Sequence, residues 1–199
     1  MKKKILAANW KMELGLKQSL SLSKKIISSI KNKKNKEYIL FPSFSNIYAI
    51  KQILRKKTVS FGAQDCSQFS NGAVTGDVSA SMLKSLGCKY VILGHSERRT
   101  INNESDNEIK LRAQSAIDAN LKVILCVGES LIDREKENAF NFIEKQLHES
   151  LPNGFENSLI AYEPMWSIGT GKIPSISEIE KMHEHIKKIA FDVVNNPLI

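Results

Sequence analysis

Six short apolar runs recur along this chain at regular intervals, with amphipathic segments of helical length between them. The runs cover residues 4–9, 38–41, 59–63, 90–93, 122–127 and 158–162. Their apolar residues are nearly continuous rather than alternating, which marks strands covered on both faces, as in parallel sheets. After the first run, Leu16, Leu20, Leu22, Ile26, Ile27 and Ile30 mark one helical face with lysines opposite. Ile47, Ile50, Ile53 and Leu54 do the same after the second. The spacing predicts a shorter third helix over 78–86, stopped by Gly87 as a C-cap. Segments 104–119 and 130–151 read as the fourth and fifth helices, the latter ended by Leu151-Pro152-Asn153-Gly154. A sixth is expected to open near Ser177, with Glu180 closing a capping box. Six β/α units without a linker predict a single domain over 1–199, a right-handed parallel α/β sheet. Periodicity leaves two forms open, a doubly wound sheet or a barrel.

Composition removes several classes of function. Of 199 residues, 42% are hydrophobic and 25% charged, so the chain is neither disordered nor a disulfide scaffold. No run of 18 apolar residues exists, so no membrane-spanning helix is expected. Met1-Lys2-Lys3-Lys4 resembles the start of a signal peptide, but the apolar stretch Ile5-Leu6-Ala7-Ala8 is too short to complete one. Cys66, Cys88 and Cys126 lie far apart, with no C-x-x-C pair, and read as buried small hydrophobes in a reducing compartment. A cytoplasmic protein without a metal centre is expected. The net charge of +8 divides into +13 over residues 1–60 and −5 over the rest. Such asymmetry can mark a nucleic-acid face. These lysines, however, fall on helix and turn positions, where a solvated face accounts for them, and no nucleic-acid partner is expected.

The loops after the strands carry the chemistry. Asn9-Trp10-Lys11 follows the first strand, Gly94-His95-Ser96-Glu97-Arg98-Arg99 the fourth, and Glu163-Pro164-Met165-Trp166 the sixth. Taken singly, each has an ordinary explanation: a solvated lysine, a helix-start histidine with Ser96 capping, a turn carboxylate before proline. In a parallel α/β fold, however, the carboxyl ends of the strands converge on one face where ligands bind. A lysine, a histidine and a glutamate gathered there supply a cation, a neutral electrophile or acid, and a base. That set suits proton abstraction beside a carbonyl on an anionic substrate. Gly169-Thr170-Gly171-Lys172 lacks the spacing of a phosphate-binding P-loop, and no dinucleotide fingerprint follows the first strand.

Six stretches resemble, in order, signatures of the triosephosphate isomerase family. They are Asn9-Trp10-Lys11-Met12, Gly62-Ala63-Gln64, Gly72-Ala73-Val74-Thr75-Gly76, Gly94-His95-Ser96-Glu97-Arg98-Arg99, Cys126-Val127-Gly128-Glu129, and Ala161-Tyr162-Glu163-Pro164 with Trp166 through Lys172. The resemblance implies a TIM (β/α)8 barrel that interconverts dihydroxyacetone phosphate and D-glyceraldehyde 3-phosphate through an enediolate, in glycolysis and gluconeogenesis, without a cofactor or metal. By matching motif, Glu163 is the base, His95 a neutral electrophile and Lys11 the cation. Asn9 and the Gly169 backbone bind substrate, and Ser96 and Glu97 support. Residues 164–174 resemble the family's lid, with Ile173-Pro174 replacing the usual small residues at its second hinge. Residues 64–78 resemble a loop whose tip, Thr75, reaches a partner's site, implying a homodimer. Asp65 stands where the family usually has Asn and is expected to add a carboxylate near that interface.

Barrels of this kind need about 250 residues and eight units, and only about six units are present here. Residues 175–199 hold neither the Tyr-Gly-Gly-Ser nor the Gly-Gly phosphate loop expected of a seventh and eighth unit. Two unpaired strand edges and an inner face open to water are therefore expected, a deficit that weighs against independent folding. The alternative function is that of a catalytically inactive truncated barrel serving as a binding or interaction partner.

Overall fold

The computed structural model describes residues 4–30, 35–54, 59–135, 138–168 and 170–194. Six strands, β1 (Lys4–Asn9), β2 (Lys36–Phe41), β3 (Val59–Ala63), β4 (Tyr90–Leu93), β5 (Lys122–Val127) and β6 (Leu159–Tyr162), pair in parallel with their chain neighbours. The helices are α1 (Leu16–Ser29), α2 (Phe44–Leu54), α3 (Ala80–Leu86), α4 (Ser96–Ile101), α5 (Asp106–Asp118), α6 (Leu131–Glu135), α7 (Ala139–Ser150) and α8 (Ile176–Val194). The spatial order β1 through β6 never reverses. A doubly wound sheet requires such a reversal, so the order decides for the barrel type: six units of a TIM barrel.

Strand alternation divides the apolar residues into two cores. Leu40, Phe61, Val91, Leu93, Val123, Leu125 and Val127 point outward and pack under the helices, against Ile47, Ile50, Leu83, Ile109, Ile143, Leu147, Met182 and Ile186. Their neighbours Ile39, Phe41, Tyr90, Ile92, Ile124 and Cys126 point inward and pack on one another, with Ile5, Leu159 and Ala161 at the sides. Both faces of the central strands are thus apolar, which produces the near-continuous runs in the sequence. Gly62 makes the inner layer possible, since a Cβ there would meet the Tyr90 carbonyl oxygen at 2.4 Å and the Phe41 ring at 2.5 Å.

Among the described residues, nothing pairs with the outer edge of β1 or of β6. β3 and β4 are wholly buried, whereas β1 and β6 are exposed or half-buried throughout, and Leu6 is 46% exposed.

α3 ends on Gly87 at φ +92° as expected, but starts at Ala80 rather than 78, because Ser79 is its N-cap. The segment expected over 104–119 is helical as α5, Asp106–Asp118, opened by a capping box of Ser105 with Glu108 that the sequence reading did not name. The fifth helical segment is divided into α6 and α7. The last helix starts earlier than expected: its capping box is Ser175 with Glu178, not Ser177 with Glu180, because Ser175 Oγ accepts from the Glu178 N–H and the Glu178 carboxylate from the Ser175 N–H. In α1 the fully buried positions are Ser19 and Ser23, while Leu16 is half exposed. Asn46 of α2 draws α1 in by donating to Ser19 Oγ and to the Leu14 carbonyl. Lys17, Lys24 and Lys25 are exposed on the opposite face of α1. All three cysteines are free and buried, and burial pushes the Cys66 and Cys88 thiols up to about 12. No described helix is long and apolar enough to cross a membrane.

Candidate active site

The carboxyl ends of β1, β4 and β6 bring Lys11, His95 and Glu163 to the same face. Asn9 ends β1, and two residues later Lys11 sits at φ +48°, a conformation costly for a residue with a side chain. Both of its peptide groups are tied down. Its N–H donates to Asn9 Oδ1 at 2.9 Å, and its carbonyl accepts from Gln64 Nε2 at 2.9 Å. Gln64, one residue beyond β3, also donates to the Phe41 carbonyl at 2.9 Å, so the ends of three strands fix this turn. The side chain then reaches Glu97, with Nζ 2.6 Å from Oε1, and that hydrogen bond holds the ammonium above its ordinary pKa.

Gly94, at φ +70°, turns the chain from β4 into α4. A Cβ here would meet Arg99 Nη2 at 2.9 Å and the Cys126 carbonyl at 3.0 Å. Arg99 donates to the Gly94 and Cys126 carbonyls and pairs with Asp106, locking the end of β4 to that of β5. His95 caps α4 with its own ring: Nδ1 accepts from the Glu97 N–H at 3.3 Å. The imidazole is buried, at 8% exposed.

Glu163 follows β6 directly, its N–H donating to the Val127 carbonyl at 2.8 Å. Gly128 lies close against the Glu163 carbonyl group. The carboxylate meets His95 Nε2 through Oε1 at 3.0 Å and accepts the Ser96 N–H through Oε2 at 3.2 Å. Burial pushes this carboxyl up, but the His95 and Ser96 hydrogen bonds outweigh it and hold the group below its ordinary value. The Glu163 carboxylate is therefore ionised at neutral pH. A cavity of about 470 Å³ opens beside His95 and Lys11, lined also by Asn9, Gln64, Glu97 and Arg98.

The structure thus gathers Asn9, Lys11, His95, Ser96, Glu97 and Glu163. Gly169 lies outside the described residues, and Thr75 stands exposed on the β3–α3 loop. Asp65 turns inward rather than adding a charge to the surface near Thr75. It is 7% exposed and meets Arg98 at 2.8 Å and Arg112 at 2.9 Å. Burial nevertheless pushes its carboxyl up to about 6. Sequence reasoning did not assign Gln64 a role; its place just past a strand end was the available signal. Among the described residues, no group of His, Cys, Asp or Glu has the geometry of a metal site.

Comparison with known proteins agrees with this geometry. The family model for triosephosphate isomerase matches residues 4–197. A triosephosphate isomerase of Flavobacterium johnsoniae is 40% identical over 192 residues, covering 94% of this chain and 77% of its own. That of Amoebophilus asiaticus is 40% identical over 196 residues, covering 95% and 78%. The crystal structure of triosephosphate isomerase from Bartonella henselae superposes with a TM-score of 0.86 at 33% identity, covering 96% of this chain and 76% of that one. With the strand order, the two-layered core and the convergence of three strand ends already established, these matches lead to one conclusion: the chain belongs to the triosephosphate isomerase family.

Proposed function

We propose that this chain interconverts dihydroxyacetone phosphate and D-glyceraldehyde 3-phosphate, with Glu163 as the base that moves a proton between adjacent carbons. The observation that carries the reading is the Glu163–His95 contact of 3.0 Å, with His95 also lining the cavity that Lys11 lines. His95 Nδ1 accepts the Glu97 N–H, which leaves the ring's proton on Nε2, facing the site. A neutral Nε2–H donates to a substrate carbonyl oxygen and stabilises the enediolate that forms when Glu163 removes the carbon-bound proton. A substrate entering between the two groups takes over the His95 hydrogen bond. Glu163 then loses one of the partners that lower its pKa, so the carboxylate becomes a stronger base where it is needed. The Lys11 ammonium, kept protonated by Glu97, offsets the charge of the phosphate ester and of the developing oxyanion. Asn9 holds the turn that presents Lys11, and Gly169 is assigned a substrate contact. Each proton is handled by a carboxylate or an imidazole, so the scheme requires no cofactor.

The same reading places the activity in glycolysis and gluconeogenesis, in the cytoplasm. It makes the chain part of a homodimer whose exposed Thr75 loop reaches the partner's site. No observation favours an inactive, partner-binding barrel.

An isomerase assay on the purified chain, with Glu163→Gln in parallel, tests the proposal. Turnover is expected, and the variant is expected to lose at least about 10²-fold in kcat with far-UV circular dichroism unchanged. Equal turnover in the two proteins removes Glu163 from its role.

A further inference from the structure

Arg134 lies outside the strand-end loops, yet it touches both ends of the connection between Glu163 and α8. Its guanidinium carbon stands 4.9 Å over the Trp166 ring, and Nη1 lies 3.5 Å from Glu129 Oε1. Nη2 pairs with Glu178. Glu129 is fully buried, and its Oε1 also accepts from Trp166 Nε1 at 2.7 Å and from the Tyr162 hydroxyl at 2.9 Å. Tyr162 and Trp166 flank Glu163 in the chain. Glu178, at the far end, accepts the Ser175 N–H and Oγ at 2.7 Å each and so fixes the start of α8.

A buried carboxylate needs a compensating charge, and Arg134 is the cation placed within 4 Å of Glu129 among the described residues. One planar fork therefore serves the first end through Glu129 and Trp166 and the second through Glu178. A lysine, with one point charge, cannot serve both carboxylates and the ring together. Pro164 and Pro174 fix φ at one residue near each of the two ends that Arg134 holds.

We propose that Arg134 is a positioning residue: it clamps both ends of the Glu163–α8 connection and thereby sets the orientation of Glu163. The proposal rests on the isomerase reading only for its consequence in catalysis; the clamp itself is testable without turnover.

The test is amide hydrogen exchange by mass spectrometry on the full chain, comparing Arg134→Leu, Arg134→Lys and Glu178→Gln with the parent. Exchange at the Met165, Ser167, Ile168, Ser175, Glu178 and Ile179 amides, which are hydrogen-bonded in the parent, is expected to rise about tenfold in Arg134→Leu. β4 and β5 are expected to keep the parent's exchange. Arg134→Lys should fall between the two. Glu178→Gln preserves the cap acceptor but removes the ion pair, and it should speed exchange at the start of α8 alone. That variant decides the matter if Arg134→Leu does not fold. In the isomerase assay Arg134→Leu is expected to lower kcat and leave KM in place, since Arg134 touches no substrate. Exchange that is unchanged at both ends, or that rises uniformly through β4 and β5, overturns the clamp. If no variant, parent included, turns over while the local exchange responds as stated, the clamp stands and the isomerase reading fails.

Discussion

Adding one methyl group at Gly128 tests whether the position of Glu163 is set by backbone contact. A Cβ at Gly128 would lie 1.9 Å from the Glu163 carbonyl oxygen and 2.8 Å from its carbonyl carbon. Real Cβ contacts stay beyond 3.0 Å, so the Glu163 peptide has to retreat by about 1.1 Å at least. Neither side yields easily. The Gly128 N–H is held by buried Gln146 Oε1 at 3.0 Å, and the Glu163 N–H by the Val127 carbonyl at 2.8 Å. Overpacking of this kind costs about 1–3 kcal/mol. A retreat of that size also carries the carboxylate away from the Ser96 N–H, now 3.2 Å distant, and from His95 Nε2, 3.0 Å distant. Misplacing a reacting group by about 1 Å costs on the order of 10²-fold in rate. Gly128→Ala is therefore expected to lose about 10²-fold in kcat and about 1–3 kcal/mol in a urea titration followed by far-UV circular dichroism. A variant with the parent's kcat and the parent's midpoint would refute the reasoning, because the strand end would then have moved without cost.

Two further outcomes need no turnover. Asp65 has its carboxyl raised from 3.8 to about 6 in the fold, so its contribution to stability is complete below pH 3.8 and is lost as pH rises through about 6. Asp65→Asn, which imitates the protonated carboxyl, should match the parent in thermal melts near pH 4 and exceed it at pH 7.5 by up to about 3 kcal/mol. A variant less stable than the parent at pH 7.5 would mean that the contacts to Arg98 and Arg112 outweigh burial. At the start of α5, Ser105 Oγ accepts the Glu108 N–H while the Glu108 carboxylate accepts the Ser105 N–H, and Ser105→Ala should cost about 1 kcal/mol in a urea titration. An unchanged midpoint there would show that packing alone holds the helix.

The sequence by itself determined the strands, the type of sheet and the C-terminal end of α3. Those features depend on neighbours in the chain: apolar residues on both faces of a strand, and Gly87 closing a turn at positive φ. It also placed Asn9, Lys11, His95 and Glu163 at strand ends, because a parallel topology makes those ends converge whatever lies between them. Tertiary structure decided the rest. The choice between a doubly wound sheet and a barrel came from which strands pair, a relation between segments that no local period encodes. The burial of Ser19 and Ser23 in place of Leu16 came from Asn46, 27 residues away from Ser19, offering a partner for a hydroxyl. Asp65 faces inward because Arg98 and Arg112 meet it from other elements. Gln64 gains its role from the strained turn of a different strand, and Arg134 from three partners spread over residues 129–178. A side chain's role is set by the groups that surround it in space, and for these residues those groups come from distant parts of the chain.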